Sequence, residues 1–156
     1  MKYAIDAIDD IDRKILYILI KDARTPFLEI ARQVGVSGAA IHQRVHKLQE
    51  KGIIAGFRLL VAPSTIGFNV CAFVSIVVAE ADEMKEVITA LKAIPEVVEC
   101  HFVTGKYSLL VKLYCRDNNH LMDVLVGGIQ NIHGIQSTET TISLDEAFER
   151  QVWVKE

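Results

Sequence analysis

Two helix-start signals, Thr25-Pro26 and Ser37, stand so close together that they constrain this chain more than any other feature. Thr and Ser can cap the free N–H groups of a first helical turn, and proline suits the first helical position. The residues between them must form one short helix, end it and reverse. Ile30, Ala31 and Val34 supply that helix with an apolar face, and Gly35 stops it. Two helices joined this tightly cross closely. They need a small residue at the crossing, a turn residue tolerant of positive φ, and an apolar anchor on the second helix. Ala31, Gly35 and Ile41 supply these at spacings of four and six. Glycine serves in the turn because a Cβ costs about 1 kcal/mol in the left-handed conformation. This is the pattern of a helix-turn-helix.

The flanking residues extend the pattern. Asp9 reads as a helix N-cap with Asp12 at the third helical position, and Ile11, Ile15, Ile18 and Leu19 follow at helical spacing. The helix after Ser37 has Ile41, Val45 and Leu48 facing inward and closes at Lys51-Gly52. Residues 53–62 read as a strand and 63–67 as a linker. Facing outward, or at the tip, are Ser37, Gly38, Ala39, Ala40, His42, Gln43, Arg44, His46 and Lys47, the candidate contacts to double-stranded DNA. Small residues at the tip allow close approach to the groove floor. Gln43 can pair with adenine and Arg44 with guanine or phosphate, while His46 and Lys47 suit phosphate. Arg44 has a competing role, bracing the helix against an acid of the first helix. His42 and His46 lie four apart, but no third metal ligand accompanies them, and no metal is expected.

The net charge of −3 by itself argues against a polyanionic partner. Its distribution argues otherwise. Arg32, Arg44, Lys47, Lys51 and Arg58 face only Glu50 within residues 32–58, and most acids fall in residues 80–156. Screening leaves the field at contact range to nearby charges. A solvated helix face looks the same by charge alone, so it is the helix-turn-helix spacing that favours DNA.

Residues 71–78, 82–93 and 97–104 read as strand, helix and strand, and 108–115, 119–132 and 135–144 repeat that order. Gly105-Lys106 makes the turn between the halves. The chain is therefore expected to be α+β: an N-terminal winged helix-turn-helix domain and a C-terminal ferredoxin-like βαββαβ domain. The boundaries fall at residues 1–54, a linking strand and hinge at 55–68, and 69–156. In the first strand of the second domain Ala72, Val74, Ile76 and Val78 alternate with Cys71, Phe73, Ser75 and Val77, so both faces are apolar. Leu109, Val111, Leu113 and Cys115 oppose Leu110, Lys112 and Tyr114 in the third. Helices cover one face only. A second subunit over the other removes apolar surface from water at about 25 cal/mol per Å². The N-terminal domain folding back over it is the alternative.

Hydrophobic residues make up 51% of the chain, enough for a core, yet no apolar run reaches the ~18 residues of a membrane span. The acidic N-terminus is unlike a signal peptide. Cys71, Cys100 and Cys115 sit unpaired in apolar runs and read as buried free thiols, which suits a cytoplasmic location.

These residues also carry a resemblance. Ile8-Asp9, Asp12, Ile15-Leu16, Glu29-Ile30-Ala31, Val34-Gly35-Val36-Ser37, Arg44-Val45, Leu48 and Gly52-Ile53-Ile54, with the later turn from Val103 to Tyr107 and then Gly134, Thr138 and Thr140, resemble the Lrp/AsnC family of regulators. The match runs from about residue 6 to 150. The resemblance implies a DNA-binding transcriptional regulator and homodimers that assemble into octamers or similar. It also implies a small-molecule effector, an amino acid or a relative, bound between dimers near the Thr-Gly turn. By position the ligand residues are Thr104, Gly105, Lys106, Tyr107, Ser108, Thr138 and Thr140. Family members often have aspartate where this chain has Ser108, which removes a partner for a ligand ammonium. No cofactor and no enzymatic activity are expected. Siroheme decarboxylases share the two-domain fold, but His101 and His133 have no partner at a recognisable spacing. A DNA organiser that needs no effector is the further alternative.

Overall fold

The computed structural model describes residues 8–152 and 154. Asp9 caps the first helix, α1 (Asp10–Lys21), reciprocally: its carboxylate accepts the Asp12 N–H at 2.8 Å, while Asp12 accepts the Asp9 N–H. The second helix, α2 (Phe27–Val34), begins one residue later than the Thr25 cap predicts. Thr25 Oγ1 instead donates to the Asp22 carbonyl at 2.8 Å, closing the preceding turn, and Pro26 takes the cap position. Gly35 ends α2 at φ +81°, the left-handed conformation expected of it. Ser37 Oγ accepts the Ala40 N–H at 3.2 Å and starts α3 (Gly38–Glu50). Ile15, Leu19, Ile30, Ala31, Ile41 and Val45 bury one another as the core of this unit. The N–H groups of Ile53 and Ile54 return to the Leu48 carbonyl, and Ile54 packs on the core.

Beyond that point one expectation fails. Residues 53–62 form no strand, and the structure shows no wing strand among the described residues. An extended segment becomes a strand only when a neighbour closes its ladder. Here Leu59 and Leu60 stand 86% and 83% exposed. The chain divides into two units at this place: one extends to Leu60 and includes the segment from Phe148, and the other is Val61–Ala147.

The second unit contains β1 (Val70–Val78), α4 (Met84–Lys92), β2 (Val97–Phe102), β3 (Leu109–Cys115), α5 (Asn118–Met122) and β4 (Ile135–Ser143). All strand pairs are antiparallel, in the order β2-β3-β1-β4, the ferredoxin-like arrangement of two βαβ halves. The predicted helix over residues 119–132 is broken. After α5 the chain widens into a π-helical stretch (Asp123–Gly128) and a tight turn (Ile129–Asn131). Gly127 and Gly128 lie in this stretch and add no side-chain packing to hold a regular helix. Asn131 Nδ2 donates to the carbonyls of Val126 and Gly127 within this stretch.

Ala72, Val74 and Ile76 of β1 and Leu109, Val111 and Leu113 of β3 are fully buried with Val87, Leu91 and Ile129. The opposite sheet face carries half-buried Cys71, Phe73, Val77, Leu110 and Tyr114, as the alternation predicts. Its chemistry is less uniform than that pattern suggests. Lys112 lies across it, 6.0 Å from the Phe73 ring centre and 5.4 Å from that of Tyr114, with Nζ 3.2 Å from Glu146. Burial alone lowers the Lys112 pKa, but hydrogen bonds to Tyr114 and Glu146 outweigh it and leave it raised. Of the cysteines only Cys115 is buried; Cys71 is half-buried, and Cys100 is exposed because β2 is an edge strand. Ile76→Ala should destabilise the second unit by about 2–5 kcal/mol, because a cavity opens among well-packed neighbours. Thr141→Ala, on the opposite face, should cost less than about 0.5 kcal/mol. Urea melts of the two variants check the difference.

Candidate functional site

With Ile41, Val45 and Leu48 buried, α3 leaves His42, Gln43, His46 and Lys47 exposed along one side and Ser37 and Ala39 exposed at its tip. Gly38 and Ala40 are half-buried. A Cβ at Gly38 would stand 3.9 Å from Leu28 Cδ1, so the tip of α3 lies against α2. His42 packs edge-on against the Phe27 ring, centres 5.2 Å apart, so α2 orients it. His46 Nδ1 lies 3.5 Å from Glu50. The side chains of Gln43 and Lys47 have no hydrogen bond or ion pair among the described residues.

Arg44 is engaged elsewhere. Its Nη1 donates to Asp9 at 2.7 Å and Asp12 at 2.8 Å, joining the N-terminal end of α1 to the middle of α3. Of its two possible roles, the structure shows the brace rather than a free group facing DNA. The Asp12 N–H, with help from Arg44, holds the Asp9 carboxyl below the usual range, and hydrogen bonds to Asp12 and Asp9 raise Arg44. The clamp lies in a groove of about 570 Å³ that Gln43 and Lys47 also line. The same two acids cap α1, so one pair of carboxylates both starts the first helix and sets the rotation of the third.

The turn between β2 and β3 holds the second group of candidates. Gly105 has φ +113° with open space where a Cβ would stand. Thr104, Gly105 and Lys106 are exposed, and Tyr107 and Ser108 are half-buried. Ser108 is structural: its N–H donates to the Ile76 carbonyl at 2.8 Å, and its Oγ accepts the Val78 N–H at 3.2 Å. Thr138 and Thr140 do not join the turn. They pair with Ile76 and Val74 and share the helix-covered face, where Thr138 Oγ1 accepts from Gln130 at 3.1 Å. Glu139, between them, points to the other face and accepts a hydrogen bond from Tyr107 Oη. Strand alternation could have signalled that Glu139 and the two threonines part company.

The histidines are paired, although spacing did not reveal it. His101 lies 3.2 Å from Glu99, and His133 Nε2 lies 3.2 Å from Glu83. His120 is nearly buried; its Nε2 is 3.2 Å from Glu96, and its Nδ1 accepts the Arg116 N–H at 3.1 Å. The first pair lies within β2, whereas the other two tie a loop residue to a helical one. No group of three or more metal-ligating residues occurs among the described residues.

Residues 8–49 match the family model of the AsnC-type helix-turn-helix domain, and residues 71–153 that of the Lrp/AsnC ligand binding domain. The chain is 41% identical over 145 residues to the regulatory protein AsnC of Haemophilus influenzae, covering 93% of this chain and 97% of that one. It is 37% identical over 137 residues to the HTH-type transcriptional regulator FL11 of Pyrococcus furiosus, covering 88% and 89%. The solved structure of Escherichia coli AsnC superposes with a TM-score of 0.87 at 41% identity, covering 93% and 97%. A Neisseria meningitidis transcriptional regulator solved as a complex with L-methionine superposes with a TM-score of 0.86 at 23% identity, covering 92% and 94%, and shows the fold alone.

Because the clamp includes a carboxylate of lowered pKa, its stabilisation is complete above the ordinary carboxylate range. It is lost as pH falls below ~4 through the Asp9 value. An acid titration of the N-terminal unit's unfolding should show this loss in the wild type and a shallower one in Arg44→Met. Arg44→Met should also weaken binding to all DNA sequences alike. Gln43→Ala should instead relax the preference at one base pair, by about 1–3 kcal/mol. Competition binding against a set of single-base operator variants separates the two.

Proposed function

The chain belongs to the Lrp/AsnC family of DNA-binding helix-turn-helix transcriptional regulators, which are not enzymes, and on that premise we propose how its parts act. In this reading α3 enters the major groove, Gln43 meets a base edge, and Lys47 with His46 holds phosphate. Arg44 keeps α3 at the angle this needs. The observation that carries the reading is the division of α3 into one face buried by Ile41, Val45 and Leu48 and another presenting Gln43 and Lys47.

One short basic helix grips DNA weakly, so a second copy is part of the proposal. The half-buried apolar face of the sheet is the surface we assign to the homodimer, giving two recognition helices for two half-sites. Dimers then assemble into an octamer or similar, and an amino-acid effector binds between them at the Gly105 turn. The Neisseria regulator's complex with L-methionine supports an amino acid as the ligand class. The open space at Gly105 and the charged side chains beside it support the location. No described helix is long and apolar enough to cross a membrane, and the cytoplasm is the proposed location.

Lys47→Ala should weaken binding to every sequence and lower the slope of log K against log salt by about 0.9 for each phosphate left without its cation. A defect confined to one base position overturns the phosphate role. Calorimetry with the twenty amino acids tests the effector. Gly105→Val, which forces a β-branched residue to positive φ, should reduce the heat or the assembly more than the folding of the chain. Heat from none of the twenty overturns the effector reading.

A further inference from the structure

Ser108 Oγ accepts the Val78 N–H, and as a neutral hydroxyl it brings no negative charge to meet a positively charged ligand group. One carboxylate nevertheless reaches the turn. Glu139 leaves β4 on the face opposite the helices, across from Ser75. It accepts the Tyr107 hydroxyl and lies 3.8 Å from Lys106 Nζ, which donates to the same hydroxyl at 2.9 Å. Lys106 Nζ also stands 4.8 Å from the centre of the Tyr107 ring. Cation, phenol and carboxylate form a closed row beside a glycine turn with open space around it.

We propose that this row is the polar half of the effector site: Glu139 receives the α-ammonium of an amino acid, and Lys106 receives its carboxylate. This rests on the effector reading above. An amino-acid zwitterion carries one charge of each sign, as the row does. It can take over both partners and leave neither ion unmatched, with charge-assisted hydrogen bonds at each end. A ligand with only one of the two charges leaves Glu139 or Lys106 without a counter-ion, so the row selects for zwitterions. Opening it costs little in the single chain, where Glu139 is 64% and Lys106 75% exposed and such ion pairs hold weakly in water. Tyr107 stays as the common neighbour, able to donate to one partner and accept from the other. Glu139 thereby supplies the negative charge that Ser108 lacks, from another strand and without changing the turn.

Titration calorimetry on the full chain with each of the twenty L-amino acids supplies the probe. The amino acid that binds is then compared with its des-amino analogue, the same carboxylic acid without the ammonium. The wild type should bind the amino acid at least about tenfold more tightly. Glu139→Gln should weaken the amino acid about tenfold while changing the analogue little, so that the preference disappears. Lys106→Gln should weaken both. Undiminished binding of the amino acid by Glu139→Gln overturns the assignment and leaves the effector reading standing. Equal weakening of amino acid and analogue in that variant overturns it too, because a merely structural role predicts that result. Heat from none of the twenty overturns this inference together with the effector reading.

Discussion

The close approach of α2 to α3 is the constraint on which the DNA-reading unit depends. Gly35 makes it possible by reversing the chain in the left-handed conformation, and Ala31 leaves room at the crossing. Everything on the outer face of α3 follows from that placement. Once Ile41 and Val45 are buried, helical periodicity leaves Gln43 and Lys47 no orientation but outward. The Arg44 clamp then adds a second tie, between charges distant in sequence. A clamp of this kind is not a large store of stability, because Arg44 is still 29% exposed. Its value is geometric: it ties the start of α1 to the middle of α3 and so resists rotation of α3 about its own axis.

The ligand-binding unit is organised by a different rule. β1 is apolar on both sides, and the inner side alone is satisfied by the helices. On the outer side the Lys112 ammonium stands over the Phe73 and Tyr114 rings and lies beside Glu99 and Glu146. A long cationic side chain can cover apolar surface in this way while its charge remains paired. The outer face is thus neither a bare hydrophobic patch nor an ordinary wet surface. The same face bears the Lys106–Tyr107–Glu139 row, so the proposed subunit interface and the proposed effector site lie on one side of one sheet.

Local signals were the legible ones. The Asp9 and Ser37 caps, the Gly35 stop and the buried stripe of α3 each depend on residues within a few positions of one another, and the structure agrees with them. It agrees equally with the two βαβ halves and the buried set of β1, because period-two alternation survives whatever packs against it. The errors have physical causes of their own. Thr25 had two nearby partners and chose the Asp22 carbonyl. Residues 53–62 had strand-forming side chains but no ladder partner among the described residues. The helix predicted through residue 132 ran into Gly127-Gly128. Cys100 looked buried by its neighbours, yet it lies on an edge strand.

The sequence by itself determined that this chain carries a helix-turn-helix followed by a four-stranded antiparallel sheet, because caps, turns and periodicity act over short separations. It also determined which face of α3 is left exposed, since the buried stripe excludes the others. Only the tertiary structure decided what Arg44 does, because its partners lie 32 and 35 residues away and no local rule selects them. It likewise separated Glu139 from Thr138 and Thr140 and brought Glu139 to the Gly105 turn from another strand. Strand register made that choice: pairing Glu139 with Ser75 sets the carboxylate on the open face, and a shift of one residue would have buried it beneath the helices.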